Sequence, residues 1–321
     1  MVALGPLNNP SFYLETMKAV FIDASQALAD VAQRLHRAND MALSIHCDPD
    51  ITPDQIPAVA GDADILWIDH TYLPTDIALR CPKLKHVIFL GTGARSYMNP
   101  EDLMEKRGIQ VHIIKGYGDT AVAECAFGLM WTAAKGFAAM DRGMRDGLWL
   151  RTEGLQLTGK TVGLIGFGGI AAEMARLCLG AGMRVIAWNR SAKQYPGVEL
   201  LSLEEVLRQS HVLSLHLLLN DETRGFISAQ RISQMRDGVI LVNTARGGVV
   251  DESAMIDALK TGKIGHAALD VFDIEPLPEA HPLTGLSNVT LSAHSAFRTP
   301  EASDNLIEAA LEHGRRIQGQ G

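Results

Sequence analysis

Two doubly wound parallel-sheet α/β domains are the fold that this 321-residue sequence predicts. Three observations carry the prediction. Short β-rich runs alternate with helix-patterned stretches through the first third, a second such series starts at Lys160, and a glycine-rich turn joins the first strand and helix of that second series. Alternation of this kind makes a parallel sheet with crossover helices. At roughly 150 residues per domain, the length suits two hydrophobic cores. Composition agrees, with 47% hydrophobic and 21% charged residues, which excludes a disordered or fibrous chain. Lys and Arg number 29 against 37 Asp and Glu, a net charge of −8 that gives no basic footprint for nucleic acid or an anionic membrane.

In the first series the β-rich runs are Ala19 to Asp23, Ala42 to His46, Ile65 to Asp69, His86 to Leu90 and Ile109 to Ile114. Between them, Ser25 to Arg37 spaces Leu28, Val31, Ala32 and Leu35 as one helical face, and Glu101 to Arg107 stops at Gly108. The apolar run Ala121 to Met140 carries Glu124 and Lys135 and is rich in Gly and Ala, so it predicts a long buried helix over about 121–143 rather than a membrane span. In the second series the strands are Thr161 to Gly166, Met183 to Trp188, His211 to His216, Val239 to Asn243, His266 to Val271 and Val289 to Ser292. A helix over Ile170 to Leu179 and an amphipathic one over Thr299 to Gln318 complete the pattern. The four cysteines form no C-x-x-C pair and predict buried thiols in a reducing, cytoplasmic compartment. No His, Cys and carboxylate spacing implies a metal. The first sixteen residues lack Lys and Arg, so they read as an extension rather than a secretory signal.

The turn Gly166-Phe-Gly168-Gly169-Ile170-Ala171 fits G-x-G-x-x-A directly after a strand and at the start of a helix. Gly166 allows the tight turn, Gly168 lets the backbone approach a pyrophosphate, and Ala171 permits close helix–strand packing. The helix N-terminus favours the anion. This predicts a dinucleotide site. The end of the next strand ordinarily offers a carboxylate to the adenosine ribose, yet here it reads Asn189, Arg190, Ser191, Ala192, Lys193. Without a carboxylate to repel a 2′-phosphate, NADP is favoured over NAD.

Three polar residues stand at the ends of strands in the second series: Arg246 in Asn243-Thr-Ala-Arg-Gly-Gly, Glu275 in Asp270-Val-Phe-Asp-Ile-Glu-Pro, and His294 in Leu291-Ser-Ala-His-Ser-Ala-Phe. Ligands of open α/β sheets bind beyond those carboxyl ends. With Leu90-Gly-Thr-Gly-Ala, Ala121-Val-Ala-Glu, Leu157-Thr-Gly-Lys-Thr-Val-Gly and the glycine turn, these motifs resemble the D-isomer-specific 2-hydroxyacid dehydrogenase family from about Ala19 onward.

The resemblance implies a flavodoxin-like substrate domain, residues 1–114 with 296–321, and a Rossmann dinucleotide-binding domain, residues 115–295. It implies Arg246, Glu275 and His294 as the catalytic set. Thr92 and Gly93 would hold the substrate carboxylate together with Arg246, and Arg298 would meet a second anionic group. The cofactor would rest on Gly166, Phe167, Gly168, Gly169, Ile170, Asn189, Arg190, Ser191, Lys193, Thr244 and Ala245, with Asp270 on its nicotinamide side. His70, Asp69 and Arg95 are further candidates in the first-domain loops. The implied reaction is hydride transfer between the nicotinamide and a small 2-keto acid such as glyoxylate or hydroxypyruvate, in a homodimer.

Departures narrow the branch. Formate dehydrogenases carry Gln where this chain has Glu275, and phosphite dehydrogenases place a lysine where it has Thr92. Only 27 residues follow His294, too few for the regulatory domain of many phosphoglycerate dehydrogenases. Arg298 replaces an aromatic hydroxyl of the D-lactate dehydrogenase branch, which stays an alternative. The rival of another class is a cofactor-sensing scaffold like the corepressors that share this fold.

Overall fold

The computed structural model describes residues 17–191 and 194–319. Lys193 and the extension before Met17, both singled out in the sequence, lie outside these described residues. Among the described residues twelve strands alternate with helices: β1 Lys18–Phe21, α1 Gln26–Leu35, β2 Ala42–Ile45, α2 Ile56–Ala60, β3 Ile65–Ile68, α3 Thr75–Leu79, β4 His86–Phe89, α4 Pro100–Arg107 and β5 Gln110–Ile113 come first. Then follow α5 Asp119–Lys135, α6 Phe137–Arg145, β6 Thr161–Ile165, α7 Gly169–Gly180, β7 Arg184–Trp188, β8 Val198–Leu200, α8 Leu203–Gln209 and β9 Val212–Leu215. The chain ends with α9 Ala229–Gln234, β10 Val239–Asn243, α10 Glu252–Thr261, β11 Ile264–Leu269, β12 Val289–Leu291 and α11 Pro300–Gln318.

The chain divides into two compact units, Met1–Tyr117 with Ser303–Gly321, and Gly118–Ala302. The first holds a five-stranded parallel sheet in the order β2-β1-β3-β4-β5, the flavodoxin-like arrangement. Its central strand β3, Ile-Leu-Trp-Ile, is buried along its whole length, as a strand covered on both faces must be. Helix α11 returns to this unit, packing Leu306, Ile307, Ala310 and Leu311 against Phe21, Trp67 and Ile88. Ser25 Oγ caps α1 by accepting from the Leu28 N–H, and Asn99 caps α4 in the same way through Asp102.

The second unit holds a seven-stranded parallel sheet, β12-β11-β10-β9-β6-β7-β8. The strand order reverses between β6 and β9, which makes the carboxyl edge at that point the ligand crevice of the fold. One face is sealed by α5 and α7, with Ala123, Ala126, Met130, Ala171, Met174 and Ala175 buried against Val162 and Leu164. Small residues let the two helices approach each other and the sheet.

Three expectations change. The long helix over 121–143 is two helices, because Gly136 adopts φ +67° and ends α5. A Cβ there would lie 2.7 Å from Thr152 Oγ1, so the break is fixed by a tertiary contact as well as by backbone freedom. The unit boundaries fall at 117/118 and 302/303, three and seven residues beyond those expected. Ile114 and Tyr117 pack into the first core, while the Ser295 and Ala296 N–H groups bind Asp270 and stay with the second unit. Cys47 is exposed rather than buried, since it follows the edge strand β2; Cys81 and Cys178 are buried and Cys125 is half-buried. No described helix is long and apolar enough to cross a membrane.

Candidate active site

The carboxyl edge of the second sheet gathers the three residues singled out at strand ends. After β10, Asn243 Oδ1 accepts from the Ala245 N–H at 3.0 Å and its Nδ2 donates to the Arg246 carbonyl at 3.0 Å, so one buried amide folds the turn that presents Arg246. Gly247 is required beside it: a Cβ would stand 1.9 Å from the Phe272 carbonyl carbon, which ties this turn to the segment after β11. That segment carries Glu275. Its Oε1 accepts from the Phe272 N–H at 2.9 Å, and its Oε2 lies 2.6 Å from His294 Nδ1. Burial acts to raise the Glu275 carboxyl, but the His294 and Phe272 hydrogen bonds and the nearby Arg246 charge prevail and hold it below the usual range.

A carboxylate on Nδ1 fixes the imidazole tautomer, with the proton on Nδ1, and leaves Nε2 for another partner. Among the described residues Nε2 has none. His294 itself has φ +46°, a left-handed backbone uncommon for a residue with a side chain. Such strain persists where the surroundings impose it. Asp270 supplies that constraint: its carboxylate accepts from Ser292 Oγ at 2.6 Å, Ser295 N at 3.1 Å and Ala296 N at 3.0 Å, and its carbonyl accepts from His294 N at 2.8 Å. Asp270 has no exposed surface. Asp270 thus holds the His294 loop, since every donor it binds comes from residues 292–296. Periodicity and motif spacing carry no signal of this.

At the β6–α7 turn, Gly166 has φ +87°, and a Cβ would press to 2.6 Å from the His216 carbonyl oxygen, so only glycine fits. Gly168 caps α7 with no side-chain acceptor, and a Cβ added to it would meet nothing within 4 Å. The helix N-terminus is thus open, and these residues fit a dinucleotide: Gly166, Phe167, Gly168, Gly169 and Ile170 would hold its pyrophosphate. Two orphaned buried atoms, His216 Nε2 after β9 and Thr244 Oγ1 after β10, stand on the same edge of the sheet. Burial pushes His216 down to about 4, so it is neutral.

Asn189 turns inward on this loop. Asn189 Oδ1 accepts from the Phe167 N–H at 3.1 Å, while Nδ2 donates to the Ser191 carbonyl at 2.7 Å and to its hydroxyl at 3.1 Å. Asn189 therefore braces the glycine turn. Arg190 is 84% exposed and pairs with Glu222 at 2.9 Å, a partner that sequence spacing does not reveal.

Arg298 is exposed and donates its backbone N–H to the Ser295 carbonyl. Thr92 and Gly93 belong to the first unit, in the turn after β4, and neither N–H has an acceptor among the described residues. In the same unit His70 Nδ1 faces Asp69 at 3.1 Å and Nε2 faces the Pro49 carbonyl at 2.8 Å, while Arg95 pairs with Glu101. No group of three or more His, Cys, Asp or Glu among the described residues could hold a metal ion.

A sequence model of the D-isomer specific 2-hydroxyacid dehydrogenase NAD-binding domain matches residues 127–296. Among curated relatives, a glyoxylate reductase of Aeropyrum pernix is 36% identical over 79% of this chain and 79% of its own. A hydroxypyruvate reductase of Thermotoga maritima is 35% identical over 78% and 83%. Among solved structures, an acyclic imino acid reductase in complex with NADPH and D-Arg superposes with a TM-score of 0.81 at 25% identity, covering 95% of this chain and 98% of that one. With a reversed-order parallel sheet, an open glycine turn and a histidine–glutamate pair beside an arginine, the chain belongs to the D-isomer specific 2-hydroxyacid dehydrogenase family of nicotinamide-dependent oxidoreductases.

Proposed function

We propose that this protein reduces a small 2-keto acid of the glyoxylate or hydroxypyruvate type to the D-2-hydroxy acid, with NADPH preferred, as a homodimer in the cytoplasm. The observation that carries the reading is the 2.6 Å contact of His294 Nδ1 with Glu275, with Arg246 close enough to depress the same carboxyl. A reduced nicotinamide, when bound, supplies the hydride for the keto carbon. The chain's own residues do the rest. Arg246 donates Nη1 to the Ala245 carbonyl at 2.7 Å, which orients the guanidinium and leaves its other N–H groups to clamp a carboxylate. His294, protonated, gives the Nε2 proton to the keto oxygen as it becomes an alkoxide; in the oxidative direction the neutral ring takes that proton back. Glu275, bonded to Nδ1, fixes the ring plane.

The cofactor preference is supported by the absence of a carboxylate at Asn189 and by Arg190, and it is the cofactor named with the imino acid reductase. The homodimer is supported by an apolar group on α6 and the segment after it: Phe137, Met144, Leu148 and Leu150 are exposed, and Trp149 is 74% exposed. Light scattering that finds only a 34.7 kDa species would remove the dimer. The exposed, unpaired Cys47 suits a reducing compartment. The deciding experiment is turnover on a panel of 2-keto acids with NADPH and NADH supplied separately. Binding of either cofactor without turnover on any acid would leave a cofactor sensor instead.

A further inference from the structure

Beside the glycine turn stands a charged group that the chemistry above does not use. Asp119 is the first residue of α5, and its Oδ2 lies 1.7 Å from where a Cβ on Gly169 would be, so the carboxylate occupies the space that glycine leaves. Gly169 is the first residue of α7. Among the described residues, this carboxylate has neither a hydrogen-bond donor nor a counter-ion. The charged side chain facing it is Glu173, one turn into α7, whose own partner is Arg176 at 3.0 Å. Burial first, then Glu173, push the Asp119 carboxyl up.

The start of α7 carries the positive pole of the helix, and Gly168 offers no capping side chain there. A dinucleotide brings its own negative pyrophosphate to the same end. Two like charges then share one helix terminus in a half-buried setting, where their repulsion is only partly screened. We propose that Asp119 sets the affinity for the dinucleotide: its carboxylate stands beside the start of α7 and opposes the pyrophosphate when the cofactor enters. Its removal tightens cofactor binding. This rests on the reading that the pyrophosphate lies at the Gly168–Ile170 turn.

The test is calorimetric titration of NADH and of NADPH into the full-length protein without substrate, alongside the thermal midpoint of each unliganded variant. Asp119→Asn and Asp119→Ala are both expected to lower Kd for both cofactors, by about three- to tenfold. The alanine separates loss of charge from gain of an amide donor. A merely structural role, as an acid in the first turn of α5, would lower the midpoint and leave Kd unchanged or higher; that result in both variants overturns the proposal. Gly168→Leu places a side chain in the open turn and is expected to abolish binding with the fold intact. If it binds as the parent does, the pyrophosphate reading and the proposal fall together. If it fails to bind while both Asp119 variants match the parent, only the proposal falls.

Discussion

His294 Nδ1 and Glu275 Oε2 are 2.6 Å apart, and the second oxygen of that carboxylate is held by the Phe272 N–H. The glutamate is therefore anchored independently of the histidine it orients. Glu275→Gln keeps the shape and removes the charge from the hydrogen bond to Nδ1. A hydrogen bond to a charged group is worth about 1.5–3 kcal/mol, and a pair about one-third exposed falls at the lower end. kcat/KM for keto-acid reduction is expected to fall by about tenfold, with the Kd of the cofactor unchanged. A parent-like kcat/KM would mean that Glu275 does not position His294.

His294→Ala removes the group that, in the proposed reaction, gives the keto oxygen its proton through Nε2. Reduction is expected to fall by about 10²- to 10⁴-fold, the usual contribution of a general acid, with the Kd of the cofactor nearly unchanged. Turnover retained across the neutral range would show that another group supplies the proton.

Asp270 holds the His294 loop and is also expected on the nicotinamide side of the cofactor, and its variants separate positioning from cofactor contact. Asp270→Asn replaces an acceptor that serves Ser292, Ser295 and Ala296 with an amide that must present a donor to at least one of them. Loss of one charge-assisted bond is expected to lower stability by about 1.5–3 kcal/mol in urea unfolding. Because the loop also holds the left-handed backbone of His294, kcat is expected to drop while the Kd of the cofactor stays. A raised Kd with an unaltered kcat would return Asp270 to the cofactor.

What was legible in the chain divides along physical lines. Strands such as β3 and β6 are buried on both faces and therefore appear as continuous apolar runs, and the glycine turn and strand-end residues follow from backbone rules that spacing expresses. Three-residue β8 pairs only with the edge of β7, and its Val-Glu-Leu is too short to show a period. The break at Gly136 depends on Thr152, sixteen residues away, and the commitment of Asp270 depends on a loop more than twenty residues on. Asn189 reads as a missing carboxylate in sequence, whereas its bond to the Phe167 N–H shows a brace. Motif spacing cannot register a partner that only tertiary folding supplies.

His70 provides a stability prediction with a definite sign. Both ring nitrogens face acceptors, the Asp69 carboxylate and the Pro49 carbonyl, so the pair of hydrogen bonds needs the doubly protonated ring. The hydrogen bond to Asp69 outweighs burial, and with the Asp69 and Asp23 charges and the Pro49 carbonyl raises His70 to about 9. A folded pKa above the unfolded value, about 6.5, contributes stability that is complete below about pH 6.5 and is lost as pH rises through about 9. His70→Ala is expected to lower the urea midpoint near pH 6, with the gap from the parent closing toward pH 10. The ring is partly exposed, so solvent screening keeps the effect modest. A gap independent of pH would assign His70 a packing role alone.

The proposed preference for NADPH is tested at Arg190. Its ion pair with Glu222 joins two side chains that are 84% and 75% exposed, and such surface pairs are worth little, so a 2′-phosphate with its greater charge can take the guanidinium from Glu222. Asn189 is already engaged with Phe167 and Ser191, which leaves Arg190 as the side chain on this loop able to discriminate among the described residues. A charge-assisted contact of about 1.5–3 kcal/mol corresponds to about a ten- to hundredfold preference, and the exposure of Arg190 places the expectation near the lower figure. kcat/KM measured with NADPH and NADH should therefore differ by about tenfold in favour of NADPH. Arg190→Ala should remove most of that difference by weakening NADPH use and leaving NADH use nearly constant, while Glu222→Gln should enlarge it by freeing the guanidinium. Equal efficiencies in the parent, or a preference that survives Arg190→Ala, would place the discrimination elsewhere.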